Sequence, residues 1–289
     1  MKSLVPFLAV IIFSGNLFAA IISANDSLRN DKQRKLKIAL DYSSDNTFKG
    51  RRDTTNTPLI SPNIKYTGRS GLFAQAALFD VPGKKRKTKV FDELDLGVGK
   101  NFDISEKWDA SVAYSHYFYD SKVARIKSSV QNDFNASLNY DWDILYNQLV
   151  ADVNMGAPKS KKGKTVSRRS LDYSLTLVSM HDFDIKLNEN NKLTISPEAD
   201  ILFGTQNFLT SYKGKTDLAY AQFQKQASAF NLTAYIFYIN VSWKVKKLTA
   251  SISPYYTIPE NMPQGESSKP YFVMSGSIYY TFKSKPKAR

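Results

Sequence analysis

The sequence predicts an all-β protein, an antiparallel β-barrel of about twelve strands that spans a membrane. Apolar and polar residues alternate with period two along most of the chain, as in a strand whose two faces meet different surroundings. The segments that connect these runs alternate between short and long, as the connections of transmembrane barrels do. Aromatic residues, 17 Tyr and 18 Phe among 289 residues, cluster at the ends of the runs, where a bilayer interface favours them.

The first residues are predicted to be a secretory signal peptide. Lys2 gives a positive start, the apolar core runs from Leu4 to Phe13, and small residues follow, which is the order of a cleaved export signal. The signal covers residues 1–24, with cleavage after Ala20 or after Ala24. An uncleaved helical anchor is the alternative, but the apolar core is shorter than the roughly 20 residues that a spanning helix needs.

Twelve alternating runs are predicted as strands. In the clearest one, Val130, Phe134 and Leu138 share one face while Asp133 and Asn135 lie on the other. A helix would scatter both sets around its circumference. The predicted strands are 35–43, 59–67, 71–80, 90–102, 108–119, 128–142, 145–156, 169–183, 192–205, 229–244, 247–258 and 270–282.

The connections alternate in length, with short turns expected in the periplasm and long loops outside the cell. The short ones are 68–70, 103–107, 143–144, 184–191 and 245–246, and the long ones are 44–58, 81–89, 120–127, 157–168, 206–228 and 259–269. The turn 184–191 is the exception, because it is as long as the loop 120–127. The barrel covers 35–282, after a short periplasmic segment, 25–34, and before a basic tail, 283–289.

A soluble, secreted β-sandwich would alternate in the same way. The barrel is favoured by the alternation of loop lengths, by several strands longer than ten residues, and by aromatic residues at strand ends, such as Trp108, Phe118 and Trp142.

Short motifs carry a resemblance. The stretches Tyr42–Arg51 (YSSDNTFKGR), Pro62–Tyr66 and Ser70–Phe73 resemble the start of uncharacterised outer-membrane barrel families of Gram-negative bacteria. The last strand alternates and ends in Phe282, which resembles the sorting signal of such proteins, although here the tail KSKPKAR follows. The resemblance implies a location in the bacterial outer membrane, among its lipid and lipopolysaccharide. It implies no activity and no functional residue.

Composition excludes several kinds of site. The chain has no cysteine and two histidines, a net charge of +14 and a mean hydropathy of −0.37. Disulfides, cysteine-ligated metals and a thiol nucleophile are therefore absent, and neither a cofactor nor a metal is expected. Because an exported protein meets little nucleic acid, the basic charge does not predict nucleic-acid binding.

The polar face of the strands predicts a water-filled lumen rich in acidic and amide side chains. The predicted lumen residues are Asp41, Glu93, Asp95, Asp133, Asn135, Asn139, Asp152, Asp172, Glu198 and Asp200. Carboxylates along a pore favour cations, so a narrow passive channel for small hydrophilic solutes is the preferred function. The alternative is that the acids pair with Lys37 and Lys65 and keep the interior polar, in a structural or interaction barrel with a plugged lumen and unknown protein partners.

One strand, 229–244, is apolar on both faces. Its lumen-facing set is predicted to be Tyr235, Phe237, Ile239 and Val241. These side chains are expected to pack against the loop 206–228 folded into the barrel, or else to stack against sugar rings or nucleobases.

Basic residues concentrate in the predicted outer loops. They are Arg51, Arg52, Lys84, Lys85, Arg86, Lys87, Lys161, Lys162 and Lys164. Such a surface is expected to attract anionic lipopolysaccharide; an electrostatic funnel for anionic solutes is the alternative, but it conflicts with an acidic lumen.

A lipid hydrolase is the remaining alternative. Ser179 and His181 lie two residues apart on one face of a predicted strand, close enough for a nucleophile and its base. No orienting third group can be assigned, and His116, among tyrosines, is expected at the aromatic girdle.

Overall fold

The computed structural model describes residues 33–52, 57–82, 91–119, 130–156, 159–161, 164–166, 170–209, 217–263 and 266–284. The predicted signal peptide, most of the N-terminal segment and most of the basic tail lie outside the described residues.

Nineteen strand segments and one helix follow one another in the described part of the chain. They are β1 (Lys35–Ser43), β2 (Thr47–Phe48), β3 (Arg51–Arg52), β4 (Leu59–Thr67), β5 (Leu72–Phe79), β6 (Glu93–Asp103), β7 (Trp108–Tyr119), β8 (Val130–Asp141), β9 (Tyr146–Gly156), β10 (Lys159–Lys161), β11 (Lys164–Val166), β12 (Leu171–Met180), β13 (Phe183–Asn188), β14 (Asn191–Gly204), α1 (Asp217–Ser228), β15 (Asn231–Val245), β16 (Leu248–Ile252), β17 (Tyr255–Pro259), β18 (Tyr271–Val273) and β19 (Ser275–Lys283).

Fifteen of these segments form one antiparallel sheet, in which β1 lies between β4 and β19, and the pairing of β14 with β15 closes this sheet on itself. Three barrel strands consist of two consecutive segments each, namely β12 with β13, β16 with β17, and β18 with β19. The closed barrel therefore has twelve strands. The predicted all-β barrel of about twelve strands is confirmed.

The predicted turn 184–191 is wrong in length. β13 continues the pairing with β14 after a break at His181 and Asp182, so that Phe183 lies opposite Ile195. The turn itself is only Glu189–Asn190. The apparent exception to the alternation of short and long connections thus disappears, because Phe183, Ile185 and Leu187 continue the apolar alternation through β13.

The two faces of the sheet differ in chemistry. Residues paired across neighbouring strands point to the same face. The face of one residue therefore fixes the face of the residues paired with it on the neighbouring strands. Large apolar side chains on the outer face are exposed: Ile38, Leu40, Ile64, Leu72, Leu96, Val98, Val112, Leu138, Leu149, Leu177 and Ile239. A continuous apolar outer face of this kind is what a bilayer requires of a barrel.

Exposed aromatic rings border this apolar belt at both ends. At the short-turn end they are Phe102, Trp108, Trp142, Phe183, Trp243 and Phe282, and at the long-loop end Phe118, Tyr173, Tyr256 and Phe272. Trp108 of the first group also contacts Tyr140, with the ring centroids 4.4 Å apart. Two aromatic girdles around an apolar band are the signature of a barrel seated in a membrane.

A β-bulge changes the face of one predicted residue. The register between β8 and β9 shifts between Val130 and Asn132, and an extra residue reverses the alternation beyond it. Phe134 therefore faces outward, whereas Val130 points inward and is buried. The prediction that Val130 shares the face of Phe134 is wrong for this reason.

A glycine closes the first short turn. Gly71 has φ +82°, and a Cβ added there would lie 2.3 Å from the carbonyl oxygen of Asn101. We expect Gly71→Ala to destabilise the barrel by about 1–3 kcal/mol, the usual cost of a strained backbone, in reversible urea unfolding from lipid vesicles. The matched control is Gly68→Ala in the same turn, since its Cβ would meet only the oxygen of Leu72 at 3.4 Å. Equal stability of the two variants would contradict this account.

Candidate functional site

The inner face of the barrel holds all ten predicted lumen residues. Seven of them, Asp41, Glu93, Asp95, Asp133, Asn139, Asp172 and Asp200, are buried, and three, Asn135, Asp152 and Glu198, are half-buried. Their cross-strand neighbours are other inward-facing residues, as in the rung of Asn135, Asp152 and Ser174. Whether these residues line a conducting path stays a prediction.

Neutral donors hold several of the inner carboxylates. Asp152 accepts hydrogen bonds from the amide of Asn135 at 2.6 Å and from the hydroxyl of Ser174 at 2.8 Å. Asp133 accepts from the amide of Asn154 at 3.1 Å. These donors are uncharged and do not neutralise a carboxylate; the ammonium of Lys49 also lies 3.8 Å from Asp152.

Two lysines lie on the inner face at the opposite wall, near the short-turn end. The ammonium of Lys37 lies 3.8 Å from the ring centroid of Tyr279, and that of Lys65 lies 4.3 Å from that of Phe73. Both contacts are within cation–π range. The two inner-face lysines thus lie on β1 and β4, while most of the inner-face carboxylates lie on β6, β8, β9, β12 and β14.

A hairpin of the first long loop folds into the mouth of the barrel. This inner hairpin (Thr47–Arg52) consists of β2 and β3 joined by Lys49 and Gly50, both with positive φ. A Cβ added to Gly50 would lie 2.4 Å from the Cβ of Ala234 on β15, so only glycine allows the hairpin to come this close to the wall. Lys49 reaches across to the Ser174 hydroxyl and to Asp152, at 3.8 Å.

Arg51 anchors the inner hairpin. Only 2% of its surface is exposed, and it donates to the Gln206 side chain at 2.7 Å, to the Thr233 carbonyl at 2.9 Å and to the Glu260 carbonyl at 3.0 Å. Burial lowers the pKa of Arg51 to about 10, which leaves the guanidinium charged at neutral pH.

The expectation that Arg51 belongs to an exposed basic patch is wrong, because Gln206, Thr233 and Glu260, from three different segments of the chain, enclose its side chain. Arg52, the next residue, does reach the surface, where it pairs with Asp45. Lys161 and Lys164 lie on the short β10–β11 hairpin, of which the backbone is described. Lys84 to Lys87 and Lys162 lie outside the described residues, so attraction of lipopolysaccharide to these loops stays a prediction.

An apolar cluster packs above the inner hairpin. Phe48 meets Phe208 edge to face with ring centroids 4.9 Å apart. The cluster consists of Phe48, Tyr117, Val130, Phe208, Leu209, Phe223 and Ala227. Phe223 and Ala227 come from α1, the helix of the loop 206–228, so this loop does fold against the mouth.

In the described part of the chain no helix is long and apolar enough to cross a bilayer.

The predicted lumen-facing set of strand 229–244 is wrong. Tyr235, Phe237, Ile239 and Val241 pair with Ile201, Ala199, Pro197 and Ile195, which face outward. The inward side chains are Ala234, Ile236, Tyr238 and Asn240, opposite Leu202, Asp200, Glu198 and Ser196. Because both faces of the strand are apolar in the sequence, only the pairing with β14 decides the register.

Ser179 and His181 lie at the outer surface, near the short-turn end. The Ser179 hydroxyl donates to Asn147 at 2.7 Å, and Nδ1 of His181 contacts the carbonyl of Ile144. Each side chain thus has a partner on a neighbouring segment, and a role of Ser179 and His181 as nucleophile and base stays a prediction. His116 lies beside Phe118 on the outer face, in keeping with a place in the girdle.

The closed barrel, its apolar outer belt and its polar interior define an integral β-barrel of the bacterial outer membrane. No family model and no curated protein matches the chain.

Solved structures share the architecture at low identity. The KdgM porin matches with a TM-score of 0.49 and 8% identity, over 85% of this chain and 99% of that one. The NanC porin matches with 0.44 and 9%, over 85% and 98%. An outer membrane channel from Pseudomonas putida F1 matches with 0.45 and 10%, over 86% and 96%. These similarities concern the overall fold and nothing finer.

Proposed function

We propose that this protein is a narrow passive channel for small hydrophilic solutes and that it favours cations. The observation that supports this most directly is the partly accessible polar inner wall. Below the mouth, many inward-facing side chains are polar and half-buried: Asn63, Gln75, Asn101, Asn135, Gln148, Asp152, Thr176, Glu198, Asn240, Ser242, Ser251, Ser277 and Thr281. Such side chains hydrogen-bond to water rather than form a dry core.

The geometry of the barrel supports a narrow path. Eight strands leave an interior filled by side chains, and about 16 leave an open aqueous channel, so twelve strands lie between these limits. The inner hairpin and the cluster around Phe48 and Phe208 occupy part of the mouth. The narrowest point is therefore expected where Lys49 faces Asp152.

Single-channel recording in a planar bilayer tests the proposal. The mature chain is refolded, and conductance and reversal potential are measured under a salt gradient. Steady openings with a cation-selective reversal potential are expected. A bilayer no more conductive than without protein, while the heat-dependent gel mobility shows a folded barrel, would overturn the proposal.

The acidic wall is expected to set the selectivity. Asp152→Asn removes one charge from the narrowest point and keeps an acceptor for its hydrogen bonds. A charge about 6 Å from a passing ion in water attracts a cation and repels an anion by about 0.7 kcal/mol each, so the cation-to-anion permeability ratio should fall roughly tenfold. Glu106→Gln, in an exposed periplasmic turn, is the matched control and should leave the reversal potential unchanged. Equal shifts in the two variants would contradict a role for the inner wall.

A closed structural barrel is the second candidate, and the apolar cluster at the mouth is the observation that favours it. If the wild type is silent but conducts once the inner hairpin is released, the barrel is closed at rest.

A further inference from the structure

Two inner carboxylates on β14 lie next to each other, and none of their described cross-strand neighbours is basic. Glu198 and Asp200 are two residues apart on the same face. On one side their cross-strand neighbours are Met180 and Val178, and on the other Tyr238 and Ile236. None of these four side chains can neutralise a carboxylate.

The hydrogen bonds of this pair are incomplete. The amide of Asn240 donates to Oε2 of Glu198 at 2.8 Å. Asp200 is 8% exposed, and its buried Oδ1 has no hydrogen-bond partner among the residues that the structure describes. A third carboxylate, that of Asp182, follows towards the periplasm and accepts from Ser196. The wall here gathers three carboxyl groups and leaves one buried oxygen of Asp200 unsatisfied among the described residues.

An unpaired buried carboxylate is costly, and a second one beside it adds repulsion. A bound cation removes both costs. Hard cations such as Ca²⁺ take carboxylate oxygens and complete their shell with water. Among the described residues no three His, Asp or Glu are grouped closely enough to hold a metal ion, so the protein can supply two carboxylates and the remaining ligands must be water.

We propose that Glu198 and Asp200 form a binding site for a partly hydrated divalent cation on the inner wall of the barrel. This site deepens the proposed channel function, because an ion held there lies beside the path of permeating cations. Tyr238 is the cross-strand neighbour of Glu198 and packs on Tyr255 with ring centroids 4.9 Å apart. A tyrosine at this place provides an optical probe of the site.

Terbium luminescence tests the site on the refolded full mature chain in detergent, without any need for conduction. Excitation of tyrosine is expected to give saturable Tb³⁺ emission. Ca²⁺ should abolish this emission by displacing Tb³⁺, whereas the same concentration of Na⁺ should leave it unchanged. The isosteric double variant E198Q/D200N should bind Tb³⁺ at least tenfold more weakly. Asp41→Asn, another inner-wall carboxylate on the far side of the barrel, is the matched control and should keep the affinity.

Tyr238→Phe locates the site without touching its ligands. Emission should fall, while the Ca²⁺ concentration that displaces half of the Tb³⁺ should stay the same. Heat-dependent gel mobility verifies that each variant is folded, and the Ca²⁺ competition on the wild type needs no variant. Absence of saturable emission, or equal emission from wild type and folded E198Q/D200N, would overturn the site.

The outcomes separate the site from the channel function. A silent bilayer with an intact Tb³⁺ site removes the channel and keeps the site. A conducting, cation-selective barrel without Tb³⁺ binding removes the site and keeps the channel.

Discussion

Arg51→Ala is expected to raise the single-channel conductance several-fold by releasing the inner hairpin from the mouth. The guanidinium joins the hairpin to Gln206, to Thr233 on β15 and to Glu260, which directly follows β17. Hydrogen bonds from a charged group contribute about 1.5–3 kcal/mol each. Removing three at once leaves the hairpin with weaker anchors, such as the 2.8 Å hydrogen bond between Thr47 and Tyr255 and the contacts of Phe48 and Lys49.

The barrel wall itself should survive this change, because no hydrogen bond between barrel strands involves the Arg51 side chain. The measurement is conductance in a planar bilayer, together with the exclusion limit for polyethylene glycols of increasing size. Arg52→Ala is the matched control, since Arg52 lies at the surface and pairs with Asp45. It removes the same charge and should leave the conductance near that of the wild type.

A second variant should also release the inner hairpin from the mouth. Gly50→Ala places a methyl group against Ala234 and strains a backbone with φ +73°, so it should also displace the hairpin. If folded Arg51→Ala and Gly50→Ala both conduct like the wild type, the inner hairpin does not limit the path.

The barrel wall could be predicted from the sequence because each strand there separates two surroundings. β1, β4 and β7 have the predicted bounds, since alternation of apolar and polar residues records which face meets lipid. Where the contrast is lost, the prediction fails. In β15 both faces are apolar, and only the pairing of Tyr238 with Glu198 fixes the inward side.

The mouth could not be predicted in the same way. Arg51 looks like a surface charge in the sequence, because the carbonyls that hold it come from residues about 180 and 210 positions further along the chain. One local signal was present: Lys49 and Gly50 between Thr47–Phe48 and Arg51–Arg52 fit a two-residue hairpin turn with Gly supplying a positive φ. That signal predicts a hairpin and leaves open whether it points into the barrel or into solvent.

Val98→Arg is expected to impair the insertion and folding of the barrel. Val98 is 55% exposed and lies in the middle of β6, between Ala74 and Tyr114. Arginine at the midplane of the lipid-facing side costs about 2–4 kcal/mol. The free energy of unfolding from vesicles in urea should fall by this amount, and the folded fraction on a heat-dependent mobility gel should fall with it.

The matched control places the same side chain on the other face. Gln148 on β9 points inward and is half-buried between Asn139 and Val178. Gln148→Arg adds the same charge to a polar wall that contains carboxylates, so stability should change by much less, while the reversal potential should move towards anions. If both arginines cost the same stability, the two faces do not differ in environment. If only Val98→Arg is costly, lipid lies outside and water inside, which is the condition that the proposed channel requires.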